Sequence, residues 1–496
     1  MITIVVILLA LASATTSRMT PDKLSACLST SGVKFIGSTD PYIRTASKIW
    51  NKMNNTIPAA IAYPITYDQV SKSVLCAKAS GIKAVPKSGG HSYMGYSIMP
   101  NALTIDLTRM NATTVSADMT TATVQAGSRL GMMYYHVHKQ TGGTRGAVAG
   151  TCPPVGIAGF MHGGGIGMLT RQHGLGCDQV IAVKMIDANG NIVIANKNNN
   201  TNILNALCGI GGGNLGVVVE YTIKIYNVPS KFTVARFDIK SNQALAYVKY
   251  VQHTWVHKGN SKLGFSIDIG TNGIIANVQY PGTIGELKRV LSEDGLLGNN
   301  TPWKATPKYE EMDWIHTVMY QSGFEDIVKK PVDMLNIEAM ENKYRTYFKL
   351  KSFFVKKELP DEAWNQMFIW KKKINQNGGY VLLDIFGGET SGVSKVAPSA
   401  TGFAHRNAIF GIQYGAEWED GQESSKIIKM IDEFQNIMNP YFAPDYPAYV
   451  NYYDIAISKT PLKSYYGNNF PWLQYIKTKL DPGNVFTANP LAIPSI

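Results

Sequence analysis

Several features that would assign a chain to a particular class of protein are absent from this sequence. It has no internal repeat and, after its first residues, no apolar run of membrane-spanning length. Its net charge of +12 comes from 47 Lys and Arg against 35 Asp and Glu, but the longest basic run is only Lys371–Lys373. Such dispersed charge is typical of a solvated surface, so we expect neither a nucleic-acid nor a membrane partner.

Low-complexity sequence is equally scarce and is confined to Asn198–Asn202, a predicted loop. The 496 residues are 45% hydrophobic and 17% charged, which is ordinary for a packed globular protein. A chain of this length exceeds the usual size of a single core. It therefore predicts two domains or one large composite.

The N-terminus has the pattern of a signal peptide. Residues 1–14 are an apolar stretch too short to span a bilayer, and they end in Ala12-Ser13-Ala14, a small-x-small cleavage pattern. We therefore expect a secreted protein whose mature form begins near Thr15. Export permits disulfides among the five cysteines. Four glycosylation acceptor sequences fit the same compartment, at Asn54, Asn111, Asn199 and Asn299.

The hydrophobic pattern divides the chain near Val228-Pro229. Before this point, short apolar strands (residues 82–85, 103–107, 121–127 and 180–186) alternate with helices over residues 67–80 and 129–141. After it, β-rich runs alternate with longer amphipathic helices, one of them over residues 244–255. Runs of strands broken by helices predict an α+β layer with an antiparallel sheet.

Two glycine-rich stretches, Pro86–Tyr93 and Gly150–Gly156, carry the strongest functional signal. In the first, two glycines lie between a predicted strand and a histidine. Glycine has no Cβ, so consecutive backbone N–H groups can turn toward an anion such as a pyrophosphate. The second stretch begins a glycine series that continues to Gly167. This composition indicates backbone that passes close to a flat, rigid ligand.

Together these stretches resemble the double flavin-attachment motif of the berberine bridge enzyme-like oxidases, members of the wider vanillyl-alcohol oxidase family of PCMH-type FAD proteins. The resemblance rests on S-G-G-H-S around His91 and G-x-C-P-x-V-G around Cys152. It implies that both side chains bond covalently to the isoalloxazine ring of FAD, with no metal. Residues 209–218 also resemble the family's G-G-G-N-F-G-I-V segment, with Leu215 for the usual aromatic residue. The implied cofactor-binding residues are His91, Cys152, Lys87, Ser88, Gly89, Gly90, Ser92, Gly150, Thr151, Val155, Gly156, Gly159, Gly212, Gly213, Asn214, Val218, Tyr452 and Asn484.

The resemblance also implies a fold and a domain order. The C-terminal residues Asn451–Asp454 resemble the family's N-Y-x-D motif, and Asp481–Phe486 resembles its closing D-P-x-N-x-F. The fold implied is α+β, with a discontinuous PCMH-type FAD-binding domain made of residues 26–229 and 441–496. Residues 230–440 would form an α+β substrate domain whose antiparallel sheet roofs the flavin.

The same resemblance assigns the chemistry of an alcohol oxidase. Tyr452 maps to the family's catalytic base, and Asp384 maps to its partner on the roof strand. A free tyrosine titrates near ~10, and a full negative charge beside it would oppose its ionisation. We therefore expect Asp384 to draw on the phenolic proton while Tyr452 takes the proton of the substrate. Val155, at the position that gates oxygen access, favours an oxidase that reduces O2 to hydrogen peroxide over a dehydrogenase.

In pattern the chain resembles the fungal oligosaccharide oxidases, which implies oxidation of the anomeric hydroxyl of a mono- or oligosaccharide to the lactone by hydride transfer to the flavin. Tyr93, Gln413 and Tyr380 are the implied substrate contacts. Ile166 and Leu382 depart from the sugar-binding pattern, because an aromatic ring and a glutamine are expected at these positions. The relationship also implies a Cys27–Cys76 disulfide and leaves open whether Cys177 and Cys208 pair. We expect a monomer.

Two other functions stay open from the sequence. One is a berberine bridge-type oxidase that acts on an alkaloid or another secondary metabolite, such as a phenolic alcohol. The other is a protein that holds flavin without turnover. Outside the motif context, Tyr452 would be an ordinary aromatic strand residue and Asp384 a carboxylate that caps a turn.

Overall fold

A computed structural model of the chain describes residues 21–496, and the predicted signal peptide of residues 1–14 lies outside them. The first sheet contains the strand that leads into the first glycine-rich stretch. Its order is β1-β2-β4-β3, with β2, β4 and β3 parallel and β1 antiparallel to β2. The strands are β1 (Phe35–Gly37), β2 (Ala60–Ala62), β3 (Ala84–Lys87) and β4 (Leu103–Asp106). The strand expected at residues 82–85 thus begins two residues later than the apolar run.

A crossover helix connects β2 to β3 and covers this sheet. Helix α3 (Tyr67–Ala79) begins after Thr66, whose side chain accepts a hydrogen bond from the backbone N–H of Gln69 at 3.2 Å. Val70 and Val74, four residues apart, point from one helix face into the core. Parallel strands need such a crossover, so the alternation of strand and helix in the sequence leads directly to this unit.

The second sheet is antiparallel throughout and has the order β5-β6-β10-β8-β9. Its strands are β5 (Thr113–Val115), β6 (Thr121–Gln125), β8 (Val180–Ile186), β9 (Ile192–Asn196) and β10 (Val217–Lys224). A short ribbon of β7 (Arg145–Gly146) and β11 (Tyr226–Asn227) lies beside it. Strand β10 therefore carries the end of the Gly209–Val218 segment into the centre of this sheet.

The third sheet has seven antiparallel strands, in the order β15-β12-β14-β13-β17-β18-β16. The strands are β12 (Phe232–Lys240), β13 (Gly264–Gly270), β14 (Gly273–Tyr280), β15 (Lys308–Met312), β16 (Tyr347–Val355), β17 (Gly379–Asp384) and β18 (Phe410–Trp418). Along β17, Val381 and Leu383 are buried on the face that α13 (Asp361–Ile374) covers. Since strand side chains alternate, Tyr380, Leu382 and Asp384 point to the opposite face.

The remaining helices connect the sheets and cover their outer faces. A helix expected over residues 244–255 is instead α-helical only to Tyr250 and continues as a π-helical segment, Val251–Trp255. The helices are α1 (Pro21–Thr30), α2 (Ile43–Ala46), α4 (Leu130–Thr141), α5 (Ile157–His162), α6 (Thr170–His173), α7 (Thr201–Leu207), α8 (Ser241–Tyr250), α9 (Val256–Lys258), α10 (Ile284–Glu293), α11 (Trp314–Gln321), α12 (Ile337–Tyr344), α14 (Ser424–Phe442), α15 (Pro461–Tyr466) and α16 (Phe470–Leu480), with 3-10 turns at Gly176–Gln179, Pro331–Leu335, Asn375–Asn377, Gly392–Lys395, Val450–Tyr452 and Gly467–Asn469.

The C-terminal segment returns to the glycine-rich part of the chain. The Nζ of Lys477 donates to the carbonyl of Asn214 at 2.6 Å and forms an ion pair of the same length with Asp481. The Oδ1 of Asn214 accepts the backbone N–H of Ile493 at 2.8 Å. Lys477 and Asp481 are completely buried, and each satisfies the other's charge. The D-P-x-N-x-F segment is therefore fixed to the Gly209–Val218 segment.

Two disulfides join elements that are distant in sequence. Cys27 and Cys76 are bonded with their Cα atoms 5.6 Å apart, which ties α1 to α3 as the family resemblance implies. Cys177 and Cys208 are also bonded, with a Cα separation of 5.1 Å. The second disulfide shows that Cys177 and Cys208 pair, which the sequence alone leaves open. Within residues 21–496, no helix combines the length and the apolar composition needed to cross a membrane.

Candidate functional site

The two glycine-rich stretches meet backbone to backbone. A Cβ built on Gly89 would lie 2.7 Å from the Cα of Gly156, and a Cβ on Gly156 would lie 2.7 Å from the Cα of Gly89. No side chain fits at such distances, so glycine is required in both loops. Arg129 reinforces the junction, since its Nη1 donates to the carbonyl of Ser88 at 2.5 Å. This contact brings His91 and Cys152 to the wall of the same cavity.

The cavity has a volume of about 850 Å³ and lies between these loops and the third sheet. Most of the residues that the sequence predicts for the site line it. They are His91, Cys152, Ser88, Gly89, Ser92, Gly150, Thr151, Val155, Gly156, Gly159, Gly212, Gly213, Val218, Tyr452, Asp384, Tyr93, Gln413 and Tyr380. Side chains that are scattered over more than 300 positions of sequence thus form one continuous surface.

Four predicted cofactor residues do not line the cavity. The Nζ of Lys87 forms a buried ion pair with Asp106 at 2.7 Å, so its charge is directed into the first sheet. Asn214 fixes the C-terminal segment, as described above, and Asn484, with a φ of 55°, accepts the backbone N–H of Ser495. Gly90 has a φ of 71° and shapes the turn that presents His91. These four residues stabilise the structure around the cavity and do not line it.

His91 is held by packing and makes no hydrogen bond among the described residues. Its imidazole stacks on the indole of Trp50, with ring centroids 4.3 Å apart and an angle of 22° between the planes. The Nε2 atom is buried and has no hydrogen-bond partner. Burial, and secondarily the charge of Arg129, lowers the pKa of His91 well below its ordinary value. The ring is therefore neutral at physiological pH.

Cys152 is the one free cysteine among residues 21–496. Burial, with a smaller contribution from Glu417, raises the pKa of its thiol to about 12. The sulfur is thus kept protonated and unpaired beside the cavity, whereas the other four cysteines form disulfides.

A cluster of tyrosines also lines the cavity. Tyr93 and Tyr452 stack almost in parallel, with centroids 4.7 Å apart and an interplanar angle of 7°. Tyr449 packs edge-on against Tyr452 at 4.9 Å and 81°. The Nε2 of Gln413 donates to the hydroxyl of Tyr93. Tyr452 lies in the 3-10 turn Val450–Tyr452, so it projects from a turn and not from a strand.

Asp384 lies in an environment that disfavours its charge. Burial, with a second contribution from Asp268, raises the pKa of its carboxyl to about 7. Burial also raises the pKa of Tyr452 well above its ordinary value, and the neighbouring Tyr93 and Asp384 add to this rise. Among the described residues there is no direct hydrogen bond between the side chains of Tyr452 and Asp384. A proton that passes between them needs a bridging group.

The structure adds residues that no motif indicated. Trp50, which stacks on His91, lies outside the glycine-rich stretches and every other motif of the sequence. Arg236 and Asn277 line the cavity from the neighbouring strands β12 and β14, where the strand register pairs them. Only the sheet order could have revealed them. Asn451, in contrast, lies in the N-Y-x-D motif but is not among the predicted site residues; it also lines the cavity, and its Nδ2 donates to the carbonyl of Phe160 at 3.1 Å.

The cavity fits FAD. At Gly159 an added Cβ would meet no atom within 4 Å, so the backbone there opens directly onto the cavity. Gly212 and Gly213 line the same cavity. A neutral, unpartnered imidazole and a free thiol lie on the wall of the same space. A buried polar atom without a partner needs an explanation, and a flavin ring in this space is compatible with both groups.

Fold and site together define an FAD-binding protein with an antiparallel sheet above the cofactor cavity. Residues 58–196 match the family model described as FAD binding domain, and residues 448–494 match the one described as berberine and berberine like. Berberine bridge enzyme-like D-1 of Nicotiana tabacum is 30% identical, with 86% of this chain and 82% of that protein covered. The chain therefore belongs to the berberine bridge enzyme-like family of FAD-dependent oxidases.

Solved structures agree with this assignment and with the α+β fold expected from the sequence. Berberine bridge enzyme-like 1 of Physcomitrella patens superimposes with a TM-score of 0.83 at 28% identity, covering 95% of this chain and 99% of that one. A glucooligosaccharide oxidase from Acremonium strictum, with a 6-S-cysteinyl, 8 alpha-N1-histidyl FAD, gives 0.83 at 25% identity and covers 96% and 99%. The predicted family and fold class are confirmed.

Proposed function

We propose that the protein is a secreted oxidase that carries FAD bound covalently through His91 and Cys152 and oxidises an alcohol with O2, releasing hydrogen peroxide. The observation that carries the proposal is that the neutral imidazole of His91, the free thiol of Cys152 and the phenol of Tyr452 line one cavity. A structural relative with the same double attachment supports it. Export is proposed from the sequence of residues 1–14 and is compatible with the two disulfides.

In this proposal residues 26–229 and 441–496 form the unit that holds FAD, and residues 230–440 form the substrate domain. When bound, FAD supplies the redox chemistry and transfers the electrons of the alcohol to O2. Tyr452 would pass its phenolic proton to Asp384 through a bridging water and take the hydroxyl proton of the substrate in its place. With its pKa raised to about 7, Asp384 can exchange a proton near neutral pH. Val155 leaves room for oxygen beside the ring.

Covalent attachment is tested by acid precipitation followed by mass measurement of the protein. We expect the wild type to keep its yellow pigment. His91→Ala and Cys152→Ala should each keep it as well, because one link remains in each. Only the double variant should release the flavin. Complete release from either single variant would overturn attachment at two points.

For the substrate we propose the anomeric hydroxyl of a mono- or oligosaccharide, which is oxidised to the lactone. Tyr93 and Gln413 are already hydrogen bonded to each other and offer an aromatic face and an amide at the cavity wall. Such a combination suits a sugar ring, which has both apolar and hydroxyl surfaces. Relatives of similar structure include a chitooligosaccharide oxidase and a glucooligosaccharide oxidase.

An alkaloid or phenolic alcohol is the second candidate substrate class, and one observation favours it. Ile166 and Leu382 line the cavity where a sugar site would present an aromatic ring and a glutamine. Both replacements make the wall less able to satisfy hydroxyl groups. A peroxide-coupled dye assay with panels of sugars, alkaloids and phenolic alcohols separates the classes. Turnover of an alkaloid or phenol without turnover of any sugar would reverse the assignment.

A further inference from the structure

The segment Ile49–Asn51 packs directly against the loop that presents His91. The indole of Trp50 stacks on the imidazole, as described above, and its backbone N–H donates to the carbonyl of Gly90 at 3.0 Å. Trp50 therefore contacts the attachment loop through both its side chain and its backbone. No other contact described above fixes the plane of the imidazole, because its Nε2 has no hydrogen bond.

The same segment is hydrogen bonded to both the attachment loop and the substrate domain. The Nδ2 of Asn51 donates to the carbonyl of Tyr93 at 2.9 Å and to the carbonyl of Phe348 in β16 at 3.0 Å. The Nε of Arg345 donates to the carbonyl of Ile49 at 2.6 Å. Asn51 is 4% exposed, so these bonds are shielded from water. Trp50 is therefore fixed relative to both the attachment loop and the substrate domain.

We propose that Trp50 is a positioning residue for covalent flavin attachment, holding the His91 ring in the plane from which a ring nitrogen bonds to the flavin. The inference rests on the proposed histidyl link. In that step a ring nitrogen of His91 bonds to the methyl carbon at flavin position 8. The imidazole and the methyl group each lose one hydrogen, and O2 accepts both as hydrogen peroxide. The protein supplies orientation, and the stack removes the rotation that would otherwise misalign the two atoms.

The test isolates the histidyl link by working in a Cys152→Ala background. Trp50→Leu then fills the space without stacking, and Trp50→Phe restores a flat ring. The measurement is the fraction of protein that keeps flavin after acid precipitation, compared with the FAD bound before precipitation. We expect Trp50→Leu to reduce the covalent fraction by roughly 2- to 10-fold, the range that an aromatic pair contributes, and Trp50→Phe to restore most of it.

A matched control is available in a second stacked histidine. His173 and Tyr226 have ring centroids 4.0 Å apart at 26°, and neither residue lines the cavity. Tyr226→Leu in the same background should leave the covalent fraction unchanged. Should Trp50→Leu fail to fold, Phe324→Leu removes the ring that packs edge-on against Trp50 at 6.4 Å and should cause a smaller loss of the same kind.

The outcomes separate the inference from the function on which it rests. Loss of covalent flavin from Cys152→Ala alone would refute the histidyl link, and the inference would fall with it. Full covalent incorporation in Trp50→Leu, with the link intact in Cys152→Ala, would overturn the role of Trp50 and leave the proposed function standing. An equal loss in Tyr226→Leu would also overturn it, because the effect would then be one of general stability.

Discussion

Replacing Asp384 by Asn should stabilise the folded protein at alkaline pH. Burial and the nearby Asp268 raise the pKa of this carboxyl from 3.8 to about 7. In the unfolded chain it ionises near its ordinary value. Between these pH values the folded protein binds a proton that the unfolded chain releases, so the stability contributed by this group falls as the pH rises through the window. Asn cannot ionise, so the variant does not lose this stability as the pH rises.

The expected change in the free energy of unfolding follows from the rise in the pKa of Asp384. This rise in pKa corresponds to about 4 kcal/mol, because each unit of pKa is about 1.4 kcal/mol. Asp384 lines an open cavity, where water offsets part of the cost of ionisation. We therefore expect Asp384→Asn to add about 1–3 kcal/mol to the free energy of unfolding near pH 8 and almost nothing near pH 4. The thermal midpoint of both flavin-loaded proteins, measured across this range, is the assay.

Asp454→Asn is the matched control, because the linkage at this carboxylate has the opposite sign. Asp454 is fully buried and lies 2.6 Å from the Nζ of Lys351 and 2.9 Å from that of Lys349. Burial alone would raise its pKa, but the two ammonium groups lower it below the usual value. Its replacement should destabilise by about 3–5 kcal/mol, less so as the pH falls. A midpoint difference between wild type and Asp384→Asn that stays constant from about pH 4 to pH 8 would contradict a raised pKa at Asp384.

Three further predictions concern turnover. The rate of substrate oxidation should rise as the pH passes through about 7, where Asp384 ionises. Asp384→Asn should remove this pH dependence and lower kcat by about 10²–10⁴-fold. A wild-type pH profile without an inflection near 7 would contradict the role of Asp384. Val155→Leu should slow reoxidation by O2 about tenfold in stopped-flow measurements while reduction by substrate is unchanged; equal slowing of both steps would exclude an oxygen gate. Asn51→Ala, which removes the hydrogen bond to the carbonyl of Tyr93, should raise KM roughly tenfold and change kcat little; a loss confined to kcat would contradict this.

Much of this protein is readable from local sequence patterns. The two glycine-rich stretches around His91 and Cys152, and the C-terminal N-Y-x-D and D-P-x-N-x-F segments, indicate the family. Glycine placement reports backbone conformation directly, because only glycine tolerates the close approach between Gly89 and Gly156. Hydrophobic periodicity likewise predicts the α+β order of elements, since burial of one face repeats at the period of each element.

Sequence patterns say less about side chains that meet across the fold. Lys87 lies in the attachment motif, yet its ammonium pairs with Asp106 on the neighbouring strand and does not enter the cavity. The Cys177–Cys208 bond depends on how the loop before β8 approaches the end of α7. Trp50 lies 41 positions from His91 and has no motif of its own. Such contacts are set by chain crossings and strand register, which no local window contains.

Residue identity and spacing along the chain are enough to indicate the family and the general order of helices and strands. The surroundings of the site residues become visible only in the folded chain: the indole over His91, the carboxylate of Asp268 near Asp384, and the positions of Ile166 and Leu382 on the cavity wall. Local sequence does not reveal these contacts, because stacking and pKa shifts act through space. They depend on distances of a few ångströms between residues that lie tens to hundreds of positions apart in sequence.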